Sequence, residues 1–446
     1  MAISPARTAA HDVLMHIERQ DAYASELLHS SQYEKLSIAD HGLATELVMG
    51  VMRWRSSLDG KISAASTKGL EKLDLEVLTA LRLGTYQLMF LDRMPERAAV
   101  HESVELVKRA RKKSAVPFAN AILRKLALSV TEGRQGEVED YAPQSATDLA
   151  LQFAHPLWLV ERWVQQFGLT NAQKICRYDQ QAPDTAVRLP DAQTAAELKQ
   201  DGIDLAPGQL LASARRVRSG NVATTRAFRE GRVAIQDEAS QLVALLVGRG
   251  SRILDCCAAP GGKTRILAAQ NPDAQIVALE LHPHRAQLLK KLVPAANVEV
   301  IQSDVREFAV DARFDRVLTD VPCSGTGTLA RNPEIKWHLN PQDLIDLQTR
   351  QLAILQSAMK HAAPSARLVY STCSLEREET EVVVEKALAG QPSFRVLDCR
   401  IELERLQAEN ELVWKDLGSL VTGKFARTIP GVHPCDGFFV AILQNS

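Results

Sequence analysis

Two cysteines stand where a thiol could act as a nucleophile. Cys323 lies in Asp320-Val321-Pro322-Cys323-Ser324-Gly325-Thr326-Gly327, directly after the apolar run RVLT, and Cys373 in Tyr370-Ser371-Thr372-Cys373-Ser374, after ARLV. The thiolate is the reactive form of cysteine, and it forms most readily in an electropositive, partly open site. A third stretch has the same build. Ile253-Leu254-Asp255 is an apolar run ending in an acid, and Cys256-Cys257-Ala258-Ala259-Pro260-Gly261-Gly262-Lys263-Thr264 leads from it into the helical-looking RILAAQ. Glycines let the backbone approach a ligand closely, and the free N–H groups of a helix start favour an anionic or electron-rich partner. A nucleotide-like cofactor suits such a loop, although an ordinary strand-to-helix turn has the same pattern. A phosphate-cradling loop is excluded, because counting back from Gly262 places Cys257 where its first glycine must stand, and no GxGxxG is present.

These loops need a frame that brings them together. From residue 236 onward strands and helices alternate: SRILD, AQIVALE, VEVIQSD, DRVLTD, ARLVYS and FFVAIL are separated by helical segments. That alternation predicts a parallel, doubly wound α/β sheet, in which ligands bind beyond the C-terminal strand ends. All three loops fall at such ends. Glu280 closes the second strand about 25 residues after Asp255, where an acid can hydrogen-bond a ribose diol. Asp304 closes the next.

With these residues in view, LDCCAAPGGKT, DVPCSGTGTLARNPEIKW, STCS and DGFF resemble the signature segments of the RNA cytosine-5 methyltransferases that use S-adenosylmethionine. The resemblance covers roughly the last 210 residues, and four ordered segments make it specific. It implies a Rossmann-like, S-adenosylmethionine-dependent catalytic domain over residues 236–446. By the same resemblance the cofactor is held by Cys257, Ala258, Ala259, Pro260, Gly261, Gly262, Lys263, Glu280, Arg285, Asp304 and Asp320. Glu280 stands where the family more often has Asp, and Asp304 is expected to meet the adenine amino group. Cys373 is implied as the nucleophile, Cys323 as the residue that releases the product, and Asp320 as the group that contacts the cytosine edge.

The chemistry supplies a reason for two thiols. Carbon 5 of cytosine is too weak a nucleophile to take a methyl group unaided, and adding a thiolate to carbon 6 makes it enamine-like. A base must then remove the carbon 5 proton so that the enzyme can leave. Arg331, Lys336 and Trp337 are candidates for phosphate contact and base stacking, since the target base must be unpaired or flipped. Cys176, Cys399 and Cys435 are expected in the core, and Cys256 and Cys257 as small side chains of the cofactor loop.

The whole chain has 446 residues, 46% of them hydrophobic and 24% charged, with a net charge of −1. It is therefore too long for one compact domain and belongs to no disordered class. The N-terminal stretch MAISPARTAAHDVLMHIERQ reads as neither signal peptide nor membrane anchor, so a cytoplasmic protein is expected. The seven cysteines form no CxxC pair, which predicts reduced thiols and no metal. Local basic stretches survive the neutral total: Leu106 to Leu126 holds seven Lys/Arg and no acid, and Arg215 to Arg232 six Arg against Glu230.

Residues 1–140 read as consecutive helices with breaks at Gly60, Lys68-Gly69, Pro95 and Pro117. Leu47-Val48-Met49-Gly50-Val51, Arg82-Leu83-Gly84-Thr85-Tyr86 and Phe118-Ala119-Asn120-Ala121-Ile122-Leu123-Arg124 are similar to an antitermination-factor (NusB-like) RNA-binding module, with RNA contact at Lys108 to Lys113. The same composition suits a protein-docking bundle. A linker is expected from Thr131 to Thr147, then a small α/β RNA-binding subdomain over 150–235 that includes HPLWLVERWVQQFG and the strands TAVRL and SARRVR. Asp237, in Gln236-Asp237-Glu238-Ala239-Ser240, is a candidate helix cap. This domain order most resembles the bacterial small-subunit ribosomal RNA enzymes of the family. It implies free or partly assembled small-subunit RNA as partner, no membrane, and a monomer. The rivals are an amino-group methyltransferase, whose Asn/Asp-Pro-Pro-aromatic signature Val321-Pro322-Cys323 does not match, and an RNA-binding assembly factor without turnover.

Overall fold

A computed structural model describes residues 3–20, 22–28, 30–133 and 143–446. The chain divides into two compact units: Met1–Gln181 with Leu329–His338, and Ala182–Thr328 with Leu339–Ser446.

The first unit is helical. Its long helices are Pro5–Gln20, Ile38–Ala65, Leu75–Phe90, Glu96–Arg109, Val116–Gly133 and Leu157–Asp179. The Ser37 side chain caps the second by accepting from the Asp40 N–H. Pro117 lies in the first turn of its helix, where a missing N–H costs nothing, and Pro95 is an N-cap. The break expected at Gly60 does not occur, because Ile38–Ala65 runs straight through it with Leu58 and Ile62 buried on either side. Gly50 has a packing reason. A Cβ there would lie 1.9 Å from the Tyr86 ring, so the glycine is the gap into which the tyrosine fits.

The expected linker is shorter than the sequence suggested. Residues 131–133 continue a helix, Ala146–Gln152 is another, capped by Ser145, and 134–142 lie outside the described residues. Leu157–Asp179, expected in the small α/β subdomain, groups with the helices because its apolar face, with Trp163 fully buried, packs there; Trp158 is half-buried. Gly168, at φ 77°, interrupts that helix.

The second unit carries two sheets. In the smaller, β1 (Thr185–Arg188), β2 (Asp204–Pro207), β3 (Ala214–Ser219) and β4 (Ala234–Ile235) are antiparallel in the order β2-β3-β1-β4. The larger contains β5 (Arg252–Asp255), β6 (Gln275–Glu280), β7 (Val298–Gln302), β8 (Phe314–Asp320), β9 (Ala362–Thr372), β10 (Phe394–Leu397), β11 (Val421–Thr422), β12 (Phe425–Thr428) and β13 (Phe438–Asn445). Their order is β11-β12-β13-β9-β8-β5-β6-β7, with β10 also on β13. The five strands from β7 to β9 are parallel, and Ile253, Leu254, Val317, Leu318, Leu368 and Val369 are wholly buried, as strands covered on both faces require.

The sheet is not parallel throughout, as the alternation had predicted. β13 runs antiparallel to β9 and β12. Only residues 429–437 join β12 to β13, too few for the crossover that a parallel pair needs. The chain goes from β5 outward through β6 and β7, then returns to the other side of β5 with β8. Beyond the C-terminal ends of β5 and β8 the order reverses, which opens a crevice there.

Candidate active site

All the strand-end residues named from the sequence border this crevice. Asp255 ends β5, Glu280 ends β6, Asp320 ends β8, Thr372 ends β9 just before Cys373, and Asp304 follows β7. The register sets Asp320 beside Ser371, whose hydroxyl donates to Asp320 Oδ1 at 2.6 Å. Lys263, in the first turn of the helix after β5, places its Nζ 2.7 Å from Asp320 Oδ2. The same ammonium lies 5.2 Å from the Phe438 ring centre, a cation–π contact.

The two thiols meet. Cys323 Sγ and Cys373 Sγ are 3.2 Å apart, both in partly exposed residues, hydrogen-bonded and not joined by a disulfide. The Cys373 thiol is held well above its ordinary pKa, first by its hydrogen bond with Cys323, then by burial and by the nearby Asp320 carboxylate, while Lys263 pulls the other way. At rest it is a protonated thiol that a nearby positive charge would activate.

Backbone hydrogen bonds register the loops. The Gly327 N–H donates to the Cys373 carbonyl at 2.9 Å, and the Gly437 N–H to the Gly327 carbonyl at 2.7 Å. A Cβ at Gly327 would sit 2.2 Å from the Gly437 oxygen, so GTG and DGFF meet glycine against glycine.

The loop after β5 forms one wall. Asp255 is buried, accepts from the Thr264 hydroxyl at 2.8 Å, and is pushed by burial up to about 6. Gly261 has φ 114°, and a Cβ on it would meet Leu289 and Val293 within 2.8 Å. Cys256 and Cys257 carry thiols raised by burial, consistent with small packing groups. Ala258 is buried and Pro260 faces solvent after a cis Ala259–Pro260 bond. Arg285 donates to the Ala259 carbonyl at 3.2 Å and comes within 3.9 Å of Glu280. Glu280 accepts from the His282 N–H at 2.9 Å. Asp304 accepts from Nε and Nη2 along one edge of the Arg306 guanidinium, which lowers its pKa. The small-residue wall, an open helix start and carboxylates at successive strand ends suit a nucleoside carrying a cationic group.

Two expectations, for Lys336 and Trp337, are not met. Arg331, Lys336 and Trp337 lie in Leu329–His338, which belongs to the helical unit. Lys336 is buried, donates to the Arg53 carbonyl at 2.9 Å, and is depressed by burial to about 7; Trp337 Nε1 donates to the Met52 carbonyl at 2.6 Å. Neither side chain is presented to a phosphate or a base, because both satisfy helix carbonyls inside their own unit. Of the basic stretch on that unit, Lys108, Arg109 and Lys112 pair with Glu105, Asp12 and Asp74. In the second stretch Arg216 pairs with Asp184, and Arg232 with Glu197 and Glu230.

Residues passed over in the sequence hold the crevice together. Glu379 and Gln351 hold the cysteine loops from behind: Glu379 accepts from Ser324 and Ser374, and Gln351 donates to the Pro322 carbonyl. Asp237 does cap its helix, accepting from the Ala239 N–H, but its neighbour Glu238 is fully buried and accepts from the backbone N–H groups of Gln209, Leu210 and Leu211 at 2.8–3.0 Å. An acid next to a helix cap and ahead of an apolar run was the only available signal. Among the described residues, no helix is long and apolar enough to cross a membrane, and no group of His, Cys, Asp and Glu could hold a metal ion.

Comparison with known proteins agrees with this arrangement. A family profile described as 16S rRNA methyltransferase RsmB/F matches residues 243–444, and one described as NusB family matches residues 4–128. A Bacillus subtilis protein named probable ribosomal RNA small subunit methyltransferase B is 31% identical over 98% of each chain. A Synechocystis protein of the same name is 30% identical over 99% of each. The crystal structure of PH0851 shares the fold, with a TM-score of 0.78 and 22% identity over the full length of both chains.

Proposed function

Because the chain belongs to the 16S rRNA methyltransferase RsmB/F family and carries a NusB-family domain ahead of its catalytic one, we propose that it methylates carbon 5 of a cytosine in small-subunit ribosomal RNA. The observation that carries the choice of carbon 5 is the pair of thiols 3.2 Å apart, beside the Lys263–Asp320 pair at the switch point of the sheet. Methylating an exocyclic amine needs no sulfur nucleophile. Methylating a ring carbon does.

S-adenosylmethionine would supply the electrophilic methyl group together with the positive charge of its sulfonium. Cys257 to Lys263 would form one wall of its site, Glu280 would offer carboxylate oxygens to the ribose diol, and Asp304 would meet the adenine amino group, with Arg285 helping to hold the nucleoside. The Cys373 proton passes to solvent at this partly exposed site and the thiolate adds to carbon 6 of the cytosine, so electron density moves to carbon 5, which becomes able to take a methyl group. Asp320, steadied by Lys263 and Ser371, contacts the edge of the ring near nitrogen 3 and the exocyclic amine. Cys323, acting as thiolate, then accepts the carbon 5 proton, the electrons of that C–H bond form the carbon 5–carbon 6 double bond, the carbon–sulfur bond breaks, and Cys373 leaves as thiolate.

The helical domain is assigned to RNA contact, through cations of the 106–126 stretch outside its ion pairs, on free or partly assembled RNA. A cytoplasmic monomer is the setting of this reading. The test is to incubate Cys323→Ala with S-adenosylmethionine and a small-subunit RNA transcript: a protein–RNA adduct that survives denaturation is expected. Cys373→Ala should form no adduct and transfer no methyl group. Residual methylation by that variant overturns the assignment. Mapping 5-methylcytosine in ribosomal RNA from cells lacking the protein identifies the target.

A further inference from the structure

Glu379 is fully buried in the turn Arg377–Glu379, just beyond β9. Its Oε1 accepts from the Ser324 backbone N–H at 2.8 Å and from Gln351 Nε2 at 2.8 Å. Its Oε2 accepts from the Ser374 hydroxyl at 2.5 Å and from the Ser324 hydroxyl. Ser324 follows Cys323 in the chain, Ser374 follows Cys373, and the two hydroxyls are 3.1 Å apart. Gln351 also donates to the Pro322 carbonyl at 2.9 Å, and the Tyr370 hydroxyl donates to the Glu379 carbonyl at 2.7 Å. One carboxylate thus grips the residue after each thiol, from behind the site and out of reach of solvent.

Burying a carboxylate is costly unless its oxygens are saturated with donors, and here four donors converge on two oxygens. Glutamine cannot replace it on equal terms. It offers one acceptor oxygen, and its NH2 would face hydroxyls that now donate.

We propose that Glu379 is the positioning residue that holds Cys323 and Cys373 at reacting distance, so that one loop cannot shift without the other. The inference rests on the two-thiol reading above for its effect on turnover, but its geometric content stands apart from that reading. Losing the acceptor at Oε2 releases both serine hydroxyls and lets the 322–326 and 372–375 loops separate.

The test uses the full-length protein and a bifunctional alkylating reagent that fluoresces only when both arms have captured thiols, with Cys323→Ala as the baseline for other cysteine pairs. Glu379→Gln should cross-link Cys323 to Cys373 at least about tenfold more slowly than the parent, and lower kcat for methylation by about the same factor, while KM for RNA and the Kd for S-adenosylmethionine stay within about twofold. Should Glu379→Gln not fold, Ser324→Ala and Ser374→Ala each remove one grip, and both should slow cross-linking. Parent-like cross-linking in the folded variants overturns the positioning role. If instead cross-linking slows but the parent protein transfers no methyl group to cytosine, the positioning role holds and the two-thiol reading fails.

Discussion

Lys263 Nζ lies 2.7 Å from Asp320 Oδ2, which ties the helix after β5 to the end of β8 across the point where strand order reverses. Both charges face Cys373 and act on it with opposite signs: Lys263 lowers its pKa and Asp320 raises it. Lys263→Met should therefore move the pH profile of Cys373 alkylation to higher pH, and Asp320→Asn should move it lower. Both variants should still lose methylation, by about tenfold or more, because the proposed reaction draws on each group in its transition state. Alkylation rates against pH, with Cys323→Ala to isolate the signal, check the signs.

Glu238 is a structural counterpart of Glu379. Its carboxylate answers three backbone N–H groups at Gln209 to Leu211, joining the turn after β2 to the helix Glu238–Val247. Glu238→Ala leaves those donors buried and unsatisfied, which should cost about 3 kcal/mol or more. Denaturant unfolding of the purified variant measures it.

Lys336 gives the helical unit a pH dependence of defined sign. Burial lowers its folded-state pKa from 10.5 to about 7, so between these values the unfolded chain holds a proton that the folded one has released. Its contribution to stability should rise as pH increases from about 7 towards 10 and be smallest below 7. Lys336→Met should flatten that slope in thermal unfolding followed across this range, and raise stability most at neutral pH and below. A slope unchanged by the substitution would show that Lys336 stays charged in the folded protein.

Gly50 and Tyr86 should behave as a coupled pair. A methyl group at 50 meets the ring at 1.9 Å, and the Tyr86 hydroxyl is anchored on Glu46 at 2.5 Å, so the ring has little freedom to move aside. Gly50→Ala should destabilise by about 1–3 kcal/mol. Tyr86→Leu should recover part of that loss in the double variant, and additivity of the two effects would count against the contact.

The sequence by itself determined the parallel part of the catalytic sheet, the helical character of the N-terminal domain, and the membership of Asp255, Glu280, Asp304, Asp320, Cys323 and Cys373 in one set of strand ends. These are local properties: the period of apolar residues fixes which faces are buried, and a strand followed by a glycine-rich loop marks its own C-terminal end. Tertiary structure alone decided the rest. β13 closes the sheet antiparallel, Lys336 turns inward to a carbonyl 283 positions away, and Glu379 reaches 55 positions back to Ser324. A buried polar group is placed by the donors and acceptors that fold around it, and these come from distant parts of the chain that no short stretch of sequence encodes.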